Sequence, residues 1–150
     1  MEANRVMSLT VITVPPELPL EAAHRIMLDH GVRHLPVVAG ALLAGILSDR
    51  DVLWAAQREG DGADERQPVT VGEAMSLAPV SGGPNTPVSA LAKAMVDARV
   101  DALPIVTKQN VLVGLVTSSD LLRVLSLLPS EPQPTLDFQV RRAAELQAKA

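Results

Sequence analysis

Two stretches of the chain set a hydroxyl residue three positions ahead of an aspartate, each just behind a glycine-containing apolar run. Residues 45–51 read GILSDRD, with Gly45, Ser48, Arg50 and Asp51; residues 114–120 read GLVTSSD, with Gly114, Thr117 and Asp120. A fixed carboxylate can accept from two adjacent sugar hydroxyls at once. A hydroxyl one helical turn earlier reaches further oxygens, and the N–H groups opening a helix favour an anion. The same residues would also serve as helix caps or as acidic first-turn residues that complement the helix dipole, so the chemistry depends on what stands opposite them. In the first stretch Arg33 and His34 precede Leu-Pro and Arg50 sits inside the motif, whereas the matching positions of the second are Asp101, Ala102 and Ser119.

The elements that must position these residues occur twice. Residues 16–27 align with 84–95, 34–38 with 102–106, and 45–53 with 114–122, so an offset of 68 becomes 69 where TKQN lengthens a turn. Each copy reads as strand, helix, strand, strand, helix. The first strands are expected at 9–14 and 78–82. The next elements are helices with apolar residues Leu20, Ala23, Ile26 and Met27 in one copy and Val88, Leu91, Ala92, Met95 and Val96 in the other, the first stopped by Gly31. Two apolar runs then form a hairpin, and a final helix starts near Ser48 or Ser118. The boundaries expected are 6–58 for the first repeat, 59–68 for a polar linker, 69–128 for the second repeat, and 129–150 for a proline-rich break and tail helix. One unit is too small to close a core comfortably, so two copies packed with pseudo-twofold symmetry, and a cleft between them, are expected.

Composition narrows the function classes. At 150 residues with 47% hydrophobic and 20% charged residues, the chain can bury a core. Trp54 and Phe138 are its only aromatics, which argues against a stacking platform for single-stranded nucleic acid. A net charge of -4 argues against a general nucleic-acid or membrane surface. With no cysteine there are no disulfides, thiolate nucleophiles or cysteine metal sites, and His24, His30 and His34 are too scattered to suggest a metal. No secretory pattern or membrane-length apolar run occurs, so a cytoplasmic location is expected. No Gly-rich phosphate loop, G-x-S-x-G elbow or H-E-x-x-H is present, and an enzyme is not expected.

The doubled pattern resembles a tandem pair of CBS domains, named for cystathionine β-synthase. GVRHLPVV followed by LAGILSDRDVL, and ARVDALPIV followed by LVGLVTSSDLL, carry the resemblance, which covers about residues 6–128. It implies an α/β (α+β) pair of β-α-β-β-α repeats around a cleft that often binds adenosyl ligands: AMP, ADP, ATP or S-adenosylmethionine. Carried over by position, Gly45, Ser48 and Asp51, and Gly114, Thr117 and Asp120, supply the ligand's polar contacts. Arg33 and His34 would meet phosphate, with Arg50 as a further cation. Pro36 and Pro104 bend their strands and free a carbonyl each. In the second copy Asp101 and Ala102 replace Arg33 and His34, so unequal sites are expected, with phosphate on the Arg33/His34 side. The resemblance further implies a regulatory module, a disc-like homodimer and an unidentified regulated protein; the alternative is a constitutive scaffold with an empty or degenerate cleft.

Overall fold

The computed structural model describes residues 1–59 and 69–129; most of the linker and nearly all of the tail lie outside the described residues. In the first repeat, α1 (Leu20–His30) packs Leu20, Ala23 and Met27 into the core and ends at Gly31, whose φ of 64° places it in the left-handed region that ends helices readily when no Cβ intervenes. Two strands follow, β1 (His34–Ala39) and β2 (Leu42–Ser48), paired antiparallel, and then α2 (Asp49–Glu59). A short helix α3 (Val71–Ala74) and a two-residue strand β3 (Ser76–Leu77) open the second repeat. It continues as α4 (Val88–Ala98), β4 (Ala102–Val106), β5 (Leu112–Thr117) and α5 (Ser118–Ser126). The architecture is the expected α+β pair of small sheets flanked by helices.

The leading strands expected at 9–14 and 78–82 shrink to single parallel bridges, Val14 to Val37 and Gly82 to Ile105. Both bridges land where the adjoining hairpin shifts register, between Val37 and Val38 and between Ile105 and Val106. In each bridge one residue makes both bonds: the Val14 N–H donates to the Pro36 carbonyl and the Val14 carbonyl accepts from the Val38 N–H, and Gly82 does the same with Pro104 and Val106. The apolar stripe of α4 is also narrower than its sequence suggests: Leu91 and Met95 are buried, whereas Val96 is exposed.

The two repeats exchange their leading segments. Residues 1–8 lie on the second repeat: the Ala3 N–H donates to the Thr86 carbonyl, the Asn4 N–H to Pro84, and Ser8 pairs with Leu115. Reciprocally, the Val71 N–H donates to the Leu18 carbonyl, the Gly72 N–H to Pro16, and β3 pairs with β2 through Gly45 and Ile46. Each pair of contacts maps onto the other at the repeat offset. The cores follow the exchange. Val71 completes the cluster of Val14, Leu20, Met27, Leu35, Val37 and Leu47, and Ala3 completes that of Leu91, Met95, Leu103, Ile105 and Val116. Each fully buried Leu or Val contributes about 1.5–3 kcal/mol. The hairpin tips join the halves as well, where the Leu43 N–H donates to the Asn110 carbonyl and Asn110 Nδ2 donates back to the Leu43 carbonyl.

Candidate functional site

Both hydroxyl-aspartate pairs close a capping box. Thr117 is the N-cap of α5, and Ser118, expected near that cap, is already the first helical residue. Asp120 Oδ2 accepts from the Thr117 N–H at 2.8 Å and from the Thr117 hydroxyl at 2.7 Å. In the first repeat Asp51 Oδ2 accepts from the Ser48 N–H at 2.7 Å and the Ser48 hydroxyl at 2.8 Å. Each carboxylate is thereby anchored by one oxygen at a helix start, where free N–H groups also favour negative charge. The other oxygen, Oδ1, projects beyond the box, and in Asp120 it accepts from Arg123 Nη1 at 3.2 Å.

A cleft of about 390 Å³ opens between the repeats. One wall is the loop between α1 and β1, contributing Gly31, Val32, Arg33 and His34; the facing wall is the end of β5 and the start of α5, contributing Leu115, Thr117, Ser119, Asp120 and Arg123. Ser8, Thr10, Val11 and Ile12 close one side and Asp101 lies on the rim. The volume falls within the range of small-molecule sites, roughly 300–1,000 Å³. The cleft thus joins Arg33 and His34 of the first repeat to Thr117 and Asp120 of the second, a pairing across copies that an alignment of the copies cannot reveal.

His34 is half-buried, directly opposite Ser48 in the β1–β2 register. Burial lowers its pKa below the ordinary 6.5, and Arg33 adds to this, while Asp49, Asp101 and Asp51 pull the other way. The imidazole therefore enters the cleft wall as a neutral group able to donate or accept.

The remaining expected residues are placed elsewhere. Pro36 and Pro104 are fully buried, and their carbonyls accept from the Val14 and Gly82 N–H groups. Ala102 is buried at the start of β4. Gly45 lies under Met75 and Gly114 under Met7: an added Cβ would sit 2.6 Å from Met75 Sδ or 2.5 Å from Met7 Sδ. Ser48 and Asp51 are half-buried and Arg50 is exposed at the head of α2, outside the 390 Å³ cleft. Sequence reasoning missed Ser8, Thr10, Ser119 and Arg123. Thr10 fell in the strand expected at 9–14, and Arg123 lies outside the repeated motif. The missed signal was the spacing from Asp120, which sets Arg123 one helical turn further along the same face.

Comparison with known proteins places this geometry in company. The sequence pattern of the CBS domain family matches residues 3–58 and again 66–127. The chain is 38% identical over 115 residues to the CBS domain-containing protein YhcV of Bacillus subtilis, covering 77% of this chain and 79% of that one. It is 36% identical over 110 residues to the inosine-5'-monophosphate dehydrogenase of Korarchaeum cryptofilum, which covers 73% of this chain but only 21% of that enzyme. Among solved structures, the CBS domain pair of protein MJ0100 in complex with 5'-methylthioadenosine and S-adenosyl-L-methionine superposes with a TM-score of 0.74 at 25% identity, covering 83% of this chain and 99% of that one.

Proposed function

Since the chain belongs to the CBS domain family, we propose that it is a regulatory module whose inter-repeat cleft binds an adenosyl ligand, an adenine nucleotide or S-adenosylmethionine. The observation that carries this reading is the meeting, across one cleft, of Asp120 and Thr117 from one repeat with Arg33 and His34 from the other. Asp120 Oδ1 takes the ribose hydroxyls while Oδ2 stays in the capping box that holds the side chain still. Val11, Ile12 and Val32 offer apolar surface to the base, and Arg33 and His34 face the phosphate. The bound relative MJ0100 supports the ligand class. By the repeat symmetry the corresponding pair Ser48 and Asp51 would look across to Asp101 and Ala102 of the second repeat, in place of a cation and an imidazole, so binding there is weaker.

The module acts without catalysis, as a homodimer. Its ligand biases a conformational or assembly equilibrium by binding one state more tightly, and a regulated partner reads that equilibrium. Support for self-association comes from α5, which turns Leu121 inward yet leaves Leu122 and Leu125 exposed, and from Leu53, exposed at the equivalent position of α2.

Thermal denaturation with AMP, ADP, ATP and S-adenosylmethionine up to millimolar levels tests the reading. At least one ligand is expected to stabilise the chain by an amount that grows with its concentration. Asp120→Ala removes that increment and Asp51→Ala keeps most of it. The ligand-induced increment is the quantity to compare, because losing either capping box lowers the baseline by about 1 kcal/mol. No increment with any of the four leaves a constitutive scaffold as the function.

A further inference from the structure

The cleft contains a cation that the motif does not supply. Arg123 lies one turn beyond Asp120 on α5, donates from Nη1 to Asp120 Oδ1 at 3.2 Å, and lines the same cleft as Arg33. At the equivalent position of the first repeat stands Trp54, so this cation belongs to one site only. We propose that Arg123 is the phosphate-selecting residue of the cleft, exchanging Asp120 for the ligand's phosphate when the ribose arrives; the inference rests on the adenosyl reading given above.

Three observations carry it. The first is the division of the Asp120 carboxylate. Oδ2 already accepts from the Thr117 N–H and hydroxyl, so a sugar hydroxyl must be served by Oδ1, the atom that Arg123 holds. The second is how readily that contact yields. The Arg123 side chain is 73% exposed while Asp120 is 13% exposed. An ion pair with one solvated partner contributes little, so the guanidinium leaves at small cost while the carboxylate stays fixed. The third is the charge of the walls. The charged residues lining the cleft are Arg33 and Arg123 against Asp101 and Asp120. Without Arg123 a phosphate would face two carboxylates and one guanidinium. With it, two guanidinium forks approach from opposite repeats, each able to bind a phosphate in a bidentate way. A phosphate-free ligand displaces Arg123 from Oδ1 just as well but offers it nothing in return, so the residue discriminates by what the ligand carries beyond the ribose.

Calorimetric titration of the full chain with AMP and with adenosine, at about 0.15 M salt to screen distant charges, tests this. Arg123→Gln is expected to lower AMP affinity roughly tenfold, the loss of a hydrogen-bonded charge contact, and to leave adenosine within about twofold. Arg123→Lys retains part of the AMP preference. Arg25→Gln, the same charge change on the exposed face of α1, changes neither ligand. An AMP-to-adenosine ratio that Arg123→Gln leaves unaltered overturns the assignment while the adenosyl site stands. If the unmodified chain binds neither ligand at millimolar concentration, the site itself falls and the assignment falls with it.

Discussion

His34 shows how a single side chain links the two repeats. It sits on β1, faces the cleft beside Arg33, and feels three carboxylates: Asp49 and Asp51 on α2 and Asp101 ahead of β4. Burial is nevertheless the largest influence and lowers its pKa below 6.5. Between that lowered value and 6.5 the unfolded chain binds a proton that the folded chain declines, so the stability contributed by neutral His34 is full above about pH 6.5 and drains away as pH falls below it. Denaturant midpoints measured between pH 8 and 5 should therefore fall more for the unmodified chain than for His34→Gln, whose side chain cannot titrate. Parallel profiles for the two proteins would show that His34 carries no such linkage.

At the scale of elements, the segments that precede each repeat do more than lead into it. Met7 and Met75 cover Gly114 and Gly45 of the opposite repeats, and the chain running on from Met7 supplies Ser8, Thr10, Val11 and Ile12 to the cleft. The two glycines are unequal in what they protect. The three nearest atoms to a Cβ on Gly114 all belong to the Met7 side chain, whereas one on Gly45 also meets the Ser76 backbone carbonyl at 2.7 Å, on the strand that pairs with β2. Gly45→Ala is expected to destabilise by about 1–3 kcal/mol, the range for overpacking, and Gly114→Ala by less, since Met7 can change rotamer. Urea denaturation ranks them, and an equal or reversed order would mean that the β2–β3 pairing gives way freely. By the resemblance these glycines read as ligand contacts, because nothing local announces a methionine from the other repeat.

The whole molecule shows where the sequence was informative. The repeat, its prolines and the hydroxyl-aspartate pairs were legible, since each is a local pattern with a local physical cause. Arg33, His34, Thr117 and Asp120, named through the resemblance, meet in one cleft. What stayed hidden is relational: Arg33 shares its cleft with Asp120 of the other repeat, and residues 10–12 line that cleft instead of forming a strand, because pairing across copies leaves no trace in the alignment of one copy on the other. The exchange of leading segments escaped for the same reason, although MS at 7–8 and again at 75–76 keeps the repeat offset and marks where it happens.

The exchange also fixes which surfaces are left for a second chain. Ala3 and Val71 each complete the core of the opposite repeat, and among the exposed apolar residues several lie on the outer faces of the last helices. Leu122 is 65% exposed and Leu125 61% exposed on α5, and Leu53 at the position equivalent to Leu122 is 60% exposed on α2. A helix apolar on both faces is stable when both are covered. Pseudo-symmetry presents these residues as a matched pair, and a twofold axis through such a surface would set α2 and α5 of one chain against those of another, an isologous contact. Light scattering of the unmodified chain is expected to give twice the chain mass, and Leu122→Glu with Leu125→Glu to give the monomer while circular dichroism stays unchanged, since both side chains point away from the core. A monomeric unmodified chain would refute the dimer, and a double variant that remains dimeric would move the interface off these helices. Arg123 shares α5 with these leucines, so if the twofold contact forms there, a ligand that moves its guanidinium acts on the helix of that contact.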